Sequence, residues 1–150
     1  MQNVRIIEIP DQKMVSSQPG MFGDGRLEIF MLWMDRQKKG IWPKDFLAEE
    51  KGEDGAKMRW LHLYEEGMDV PEEMEMYDFK GGLYAVATDM DMNTDLGAMR
   101  AAVEEFLDEN GMEMDESRLR LGNVITPAKA MQALGGCQMD YYFPVRLAAE

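Results

Sequence analysis

The spacing of apolar and polar residues divides the chain into short strands and two longer helices. The first helix is predicted over roughly residues 26–38, because apolar side chains recur on one face at intervals of three and four residues. Its apolar stripe is Leu27, Phe30, Met31 and Met34, with Trp33 at the edge. The second helix has the same period over residues 96–107 and follows Asn93 or Thr94, one of which we expect to cap it. Short β-rich runs flank both helices, so the pattern predicts an α+β fold.

Both halves of the chain follow one plan. Asp24, the expected cap of the first helix, and Thr94 are 70 positions apart, while Gly40 and Gly111, which we expect to end the helices, are 71 apart. The offset predicts one domain over residues 1–150, made of duplicated strand-strand-helix-strand units with pseudo-repeats about 1–70 and 71–150. We expect an antiparallel sheet and the two main helices around a central pocket, because each half has a sheet face that it cannot bury alone.

The strands of the second half are predicted to begin with a hairpin. Met76–Phe79 and Leu83–Thr88 are expected to pair across the Gly81-Gly82 turn. Three further strands are predicted: Met58–Tyr64 in the first half, and Leu119–Ile125 and Met139–Leu147 in the second. A polar connector with a Trp42-Pro43 step is expected before the first of these three, and a loop before the last.

Charge and composition narrow the possible partners. The net charge of −13, from 16 basic and 29 acidic side chains, repels phosphate backbones and argues against direct nucleic-acid binding. The acidic surface favours solubility, and a basic protein partner stays open as an alternative. No apolar run approaches the roughly 18 residues of a membrane span. The start of the chain lacks the layout of a secretory signal, and Cys137 has no second cysteine to pair with, so we expect a cytoplasmic protein with no membrane contact.

Catalytic and metal-binding constellations are missing from the sequence. One histidine, His62, and one cysteine, Cys137, cannot form the clusters that zinc prefers, so we expect no metal. The glycine-rich stretch at residues 20–25 lacks the Lys-Ser/Thr ending of a phosphate loop. The sequence assigns no catalytic residue and predicts no cofactor.

Aromatic and methionine side chains are the remaining candidates for a binding site. Trp60 and His62 alternate along one strand and are expected to share a face. We predict that Trp60, His62, Tyr84 and Tyr142 bind a ligand, since aromatic rings offer flat area to apolar or cationic molecules. The alternative, that these four side chains are ordinary core, stays open. Sixteen methionines would suit a pocket that adapts to varied apolar ligands, although most of them are expected in the core.

Two segments resemble the GyrI-like family, the effector-binding domains of AraC-type and related regulators. They are the opening Val4-Arg5-Ile6-Ile7-Glu8-Ile9-Pro10 and the ending Asp140-Tyr141-Tyr142-Phe143-Pro144-Val145. The resemblance spans nearly the whole chain and implies a duplicated α+β fold with a central cavity for small apolar or cationic ligands. It also implies multidrug binding. Because some members are fused to helix-turn-helix domains, it implies transcription regulation as well. Other members stand alone as sequestering proteins, a gyrase inhibitor or hydrolases.

One departure from the family concerns its pocket glutamate, which follows the second helix in many members. The matching stretch here, residues 118–124, contains no acid, and Glu116 lies just upstream, out of register.

Taken together, the aromatic residues and the resemblance predict a small-molecule-binding domain that acts as a sensor, an effector module or a sequestering protein. The alternatives are a hydrolase that uses Tyr142 or Glu116, and an acidic protein that inhibits or binds a basic partner. Turnover lost in Tyr142→Phe or Glu116→Gln would favour the first, and a salt-sensitive partner the second.

Overall fold

A computed structural model describes residues 3–37, 40, 44–52, 55–91 and 94–149. Within these residues the chain forms nine strands and three helices. In chain order they are β1 (Arg5–Ile9), β2 (Gln12–Ser16), α1 (Arg26–Asp35), β3 (Asp45–Gly52), β4 (Gly55–Leu63), β5 (Glu75–Phe79), β6 (Gly82–Met90), α2 (Leu96–Glu109), β7 (Met112–Met114), β8 (Arg120–Val124), α3 (Ala128–Leu134) and β9 (Gln138–Leu147). The predicted Trp42-Pro43 step and the Asn93 cap lie outside the described residues.

The chain divides into two compact units, the terminal unit (Met1–Pro10 and Gly81–Glu150) and the middle unit (Asp11–Lys80). In the terminal unit, antiparallel pairs join β1 to β6, β6 to β9 and β9 to β8, and β7 pairs with the far end of β9. Helix α2 covers one face of this sheet. Its buried Met99, Val103 and Leu107 pack with sheet residues that include Ala85 and Phe143. The period-3.6 stripe of α2 is therefore the core of this unit.

The middle unit is also an antiparallel sheet with a helix on one face. Its strand order is β3, β4, β2, β5. Helix α1 buries Leu27, Phe30 and Trp33, and Phe30 and Trp33 pack against Val15 of β2 and Met74. Met31, which the sequence analysis placed in the apolar stripe, is 41% exposed instead. A helix with apolar residues on every side gives no unique periodic stripe, which explains the error.

The offset of 70 residues recurs in the element starts. It separates β1 from β5, β2 from β6 and α1 from α2. The division into two superposable pseudo-repeats stays a prediction. The predicted hairpin is wrong, because β5 pairs with β2 and β6 pairs with β1 and β9.

Gly81 explains why a glycine pair looked like a hairpin turn. A Cβ atom on Gly81 would lie only 1.9 Å from the carbonyl oxygen of Ile9, the last residue of β1. Glycine is needed here for the close approach of two backbones, not for the reversal of a hairpin. A glycine pair in sequence does not distinguish these two requirements.

Local signals predicted most elements and missed two. Strand β3 lies where a polar connector was expected, since its charged residues conceal the strand period. Helix α3 lies in the expected loop and buries no residue, so it has no apolar stripe to reveal it. The second helix is capped by Asp95, whose Oδ1 accepts the Ala98 N–H at 3.0 Å; Thr94 instead donates to the Met90 carbonyl oxygen at 2.8 Å.

The α+β class with antiparallel strands and two main helices is confirmed. Among the described residues, no helix has the length and apolar character needed to cross a membrane.

Candidate ligand-binding site

Trp60 lies on β4 beneath helix α1. Its ring centroid is 6.3 Å from that of Phe30 and 6.2 Å from that of Phe22. The indole N–H donates to Asp45 Oδ2 at 2.9 Å, and the backbone N–H donates to Ser17 Oγ, also at 2.9 Å. The side chain is half-buried. Trp60 is thus held by two aromatic contacts and a hydrogen bond at its polar edge.

His62 lies two residues further along β4 and points to the same face. Its ring makes an edge contact with Trp33 of α1, with centroids 5.6 Å apart. Nδ1 lies 2.8 Å from the carbonyl oxygen of Leu63, which fits an Nδ1–H that donates to it. The side chain is buried. His62 therefore packs as part of the layer between β4 and α1.

Tyr84 and Tyr142 lie in the terminal unit on the sheet face opposite α2. Their ring centroids are 6.3 Å apart in an edge arrangement, and the residues are 0% and 4% exposed. The guanidinium of Arg118 stacks 4.8 Å from the centre of the Tyr84 ring. The four predicted ligand residues thus fall into two pairs, one in each unit. That they line one ligand site stays a prediction.

The middle unit has a pocket of about 440 Å³ beside the first turn of α1. This volume falls in the range of small-molecule sites. Its apolar wall is formed by Ile29, Phe30 and Met74. Its polar residues are Ser17, Gln18, Asp24, Arg26 and Glu73. Because Phe30 lines the pocket and contacts Trp60, Trp60 forms a second layer behind the apolar wall.

Two carboxylates satisfy the backbone at the start of α1. Asp24 accepts the N–H groups of Met21 and Arg26 at 2.9 and 2.8 Å, and Glu28 accepts those of Gly23 and Gly25 at 2.5 and 3.0 Å. These backbone hydrogen bonds, from Met21 above all, lower the pKa of Asp24, and the one from Gly23 does most to lower the pKa of Glu28. The predicted cap, Asp24, is one residue early: the N-cap is Gly25, and Asp24 lies just before it, where its Oδ1 accepts the N–H of Arg26, the first residue of α1. These amides are engaged by the protein's own acids, so this end of the pocket is not an anion site.

Gln18 holds one wall of the pocket in an unusual conformation. Its backbone φ of 67° lies in the left-handed region, which residues other than glycine rarely adopt. Three hydrogen bonds hold it: its N–H donates to Ser16 Oγ at 2.9 Å, its Nε2 to the Glu73 carbonyl oxygen at 3.1 Å, and its carbonyl oxygen accepts from Ser17 Oγ at 2.8 Å. The end of β2 is thereby fixed to the segment before β5. Such strain persists only where the surroundings enforce it, and it is common at binding sites.

A buried carboxylate in the terminal unit escaped the sequence analysis. Asp140 on β9 is 4% exposed, shares a face with Tyr142 and accepts a short hydrogen bond from Thr88 Oγ1. Arg5 lies 3.2 Å from its second oxygen, with a side chain that is 56% exposed. The family glutamate is expected within residues 118–124, on β8 and the residues just before it, whereas this acid lies on the paired strand β9, opposite Asn123. The alternation along β9 was the signal that could have found it.

The sheet face of the middle unit opposite α1 carries an ionic network. Arg59 Nε donates to Glu50 at 2.5 Å, while Nη1 donates to Ser16 Oγ at 2.8 Å and to Glu75. The guanidinium also stacks 4.8 Å from the centre of the Tyr77 ring, and burial raises the pKa of Tyr77. The partners of Arg59 already satisfy its charge, so the network is a structural element of the sheet.

The surroundings of Glu116 and Cys137 do not favour catalysis. Glu116 has a side chain that is 71% exposed and pairs with Arg100 at 2.6 Å, whereas Tyr142 is buried. Burial, with the neighbouring Asp91 carboxylate, raises the pKa of Cys137, the opposite of what a nucleophilic thiol needs. In the described part of the chain, no three His, Cys, Asp or Glu side chains are grouped to hold a metal ion.

Sequence searches found no matching family model and no matching curated protein. Solved structures share the fold at low identity. The C-terminal domain of EcmrR is 12% identical with a TM-score of 0.65, and the match covers 99% of each chain. The longer EcmrR chain in an EcmrR–DNA complex is 11% identical with a TM-score of 0.66, over 98% of this chain and 58% of that one.

Two further solved structures match along nearly their whole length. A hydrolase from Listeria innocua is 10% identical with a TM-score of 0.66, and the match covers 96% of this chain and 92% of that one. SAV2435 bound to tetraphenylphosphonium is 9% identical with a TM-score of 0.54, over 96% and 94% of the two chains. EcmrR and SAV2435 carry GyrI-like effector-binding domains, and the resemblance seen in the sequence is confirmed: this chain has the fold of the GyrI-like effector-binding domains.

Proposed function

We propose that this chain is a small-molecule-binding domain whose ligand occupies the pocket of the middle unit. The pocket itself carries the proposal: about 440 Å³ beside α1, with an apolar wall and several polar groups at its edge. Buried apolar ligand surface would supply most of the affinity, at about 25 cal/mol per Å². The shared fold with SAV2435, which is bound to tetraphenylphosphonium, supports the same function.

The charges around the pocket favour an apolar organic cation. Two acids, Asp24 and Glu73, line it against one base, Arg26. Asp24 stays ionised to lower pH than an ordinary aspartate, because backbone N–H groups, chiefly that of Met21, lower its pKa. A ligand with aromatic rings and one positive charge would place its rings against Ile29, the exposed part of the apolar wall, and its charge toward these carboxylates. An anion would find the first-turn amides already bonded.

The four predicted ligand residues take different places in this proposal. Trp60 supports the apolar wall from behind Phe30, and His62 holds the same layer through Trp33. Tyr84 and Tyr142, with the carboxylate of Asp140 on the same face, offer ring and charge chemistry in the terminal unit. Because both rings are almost completely buried, a ligand there would have to displace them.

The proposed activity is binding without turnover. Glu116 is exposed and paired with Arg100, and the hydroxyl of Ser17, which lines the pocket, donates to the carbonyl oxygen of Gln18 and not to a base. Reversible binding suits a sensor, an effector module or a sequestering protein. The flexible side chain of Met74 would let the wall adapt to ligands of different shape, which is the property needed for multidrug binding.

Glu73→Gln tests the charge preference, with tetraphenylphosphonium as the probe. We expect calorimetry to show binding about three- to fivefold weaker than in the unmodified protein, since a partly exposed carboxylate contributes up to about 1 kcal/mol. Glu72→Gln is the matched control: it removes the same charge one residue away, outside the pocket lining, and should leave the affinity unchanged. Equal loss in both variants would mean that only the overall charge matters, and no loss in either would contradict the assignment.

A further inference from the structure

Helix α1 exposes apolar side chains that a surface helix normally buries. On its solvent side Met31 and Leu32 are 41% and 60% exposed, and Ile29, which also lines the pocket, is 50% exposed. Helix α2 provides the contrast within the same protein, because its apolar residues Met99, Val103 and Leu107 are buried and only Leu96, its first residue, is strongly exposed. A helix that is apolar on all sides is normally covered on all sides.

The exposed ridge of α1 is complementary to itself. Glu28, Leu32 and Arg36 follow one another at intervals of four residues and therefore lie along one ridge. Glu28 lies near the start of the helix, Leu32, which is 60% exposed, lies in the middle, and Arg36 lies at the C-terminal end. In an antiparallel pair of such helices, the two leucines meet at the centre and each Glu28 faces the Arg36 of the other copy.

We propose that a second copy of this chain docks antiparallel on α1, with a twofold axis through Leu32. The arrangement is isologous, so the two ion pairs form by symmetry and the interface closes on itself. Glu28 already accepts two backbone N–H groups, but a carboxylate has further lone pairs for an arginine at its exposed edge. Dimerisation does not depend on the proposed ligand, since none of the three ridge residues lines the pocket.

Analytical ultracentrifugation of the whole chain tests the docking. The net charge of −13 opposes association at long range, so the measurement belongs at about 150 mM salt, where screening acts beyond roughly 8 Å. We expect a monomer–dimer equilibrium below about 100 μM, which Leu32→Asp weakens about 100-fold, because both copies lose a buried leucine. Leu96→Asp, at a leucine of similar exposure on α2, should leave the equilibrium unchanged.

Two charge variants test the antiparallel register. Arg36→Glu alone sets Glu28 against a second carboxylate, and Glu28→Lys alone sets an ammonium group against Arg36, so each homodimer should weaken. Mixed together, these two proteins restore an opposite-charge pair on both sides of the axis, one the original Glu28–Arg36 pair and the other with its charges reversed, and we expect a heterodimer at least about tenfold tighter than either homodimer. Thermal unfolding checks that each variant stays folded, which matters for Glu28 because it caps the helix. A chain that stays monomeric to about 100 μM, or mixed variants that associate no better than each alone, would overturn the proposal.

Discussion

Replacing Trp60 with alanine should lower the free energy of unfolding by about 3 kcal/mol. The indole fills the space between β4 and α1, where it contacts Phe30 and Phe22, and its N–H is bonded to Asp45. Its removal leaves a cavity under the helix and takes a hydrogen bond from a carboxylate. Urea denaturation followed by circular dichroism measures the loss without depending on tryptophan fluorescence.

Trp60→Phe separates the two contributions. The phenyl ring retains most of the packing against α1 but cannot donate to Asp45, so we expect a loss of only about 1 kcal/mol. If Trp60→Ala cost less than about 1 kcal/mol, the ring would not be part of the packed layer, and its place behind the pocket wall would be wrong.

Arg118→Met should cost about 3 kcal/mol of stability. The Arg118 side chain is 7% exposed, and its Nε pairs with Asp115 at 2.9 Å. Its Nη2 donates to the carbonyl oxygens of Leu83 on β6 and Val145 on β9 at 2.8 and 2.7 Å. Methionine fills similar volume but leaves the carboxylate and both carbonyl groups without these donors, and it loses the cation–π contact with Tyr84.

Arg100→Met is the matched control, because Arg100 also forms two ion pairs but on an exposed helix surface. We expect its stability to change by less than about 0.5 kcal/mol. Chemical denaturation of both variants measures the difference. A similar, small effect in the two would contradict the structural role assigned to Arg118.

The Asp115 carboxyl adds a pH dependence to the same comparison. Hydrogen bonds from Ser117 and then from Arg118 lower its pKa from 3.8 to about 2. A lowered folded-state pKa contributes stability that is present above pH 3.8 and is lost as the pH falls toward 2. In Arg118→Met the stability lost between pH 3.8 and about 2 should be smaller but still measurable, because Ser117 still donates to the Asp115 carboxylate.

Local patterns in the sequence predicted the class of fold better than its strand pairing. The stripe of α2 and the strand near residues 139–147 are properties of contiguous segments, so they could be identified directly. The partner of β5 could not be identified, because Glu75–Phe79 is followed after one residue by a glycine pair that favours a hairpin with β6. The actual pairing with β2 depends on contacts distant in sequence, which a local pattern does not encode.

The ligand pocket was harder to predict than the fold class, because several of its lining residues are polar and lie in loops. Aromatic side chains drew attention to Trp60 and Tyr84, whereas the middle-unit pocket is formed where the end of β2, the start of α1 and the segment before β5 meet. Gln18 gave no sequence signal, since nothing in its neighbours indicates a left-handed backbone. Asp140 does give a sequence signal, because it lies two residues from Tyr142 along β9 and therefore on the same face of the sheet.

A crystal structure of this chain soaked with tetraphenylphosphonium is the decisive test of the proposed ligand site. We predict electron density for the cation in the middle-unit pocket, with a ring against Ile29 and the positive charge on the side of Glu73. The side chain of Met74 should move to contact it as well, because Met74 is the flexible part of the apolar wall. Density for the cation against other residues, with this pocket empty at a saturating concentration, would contradict the proposed ligand site.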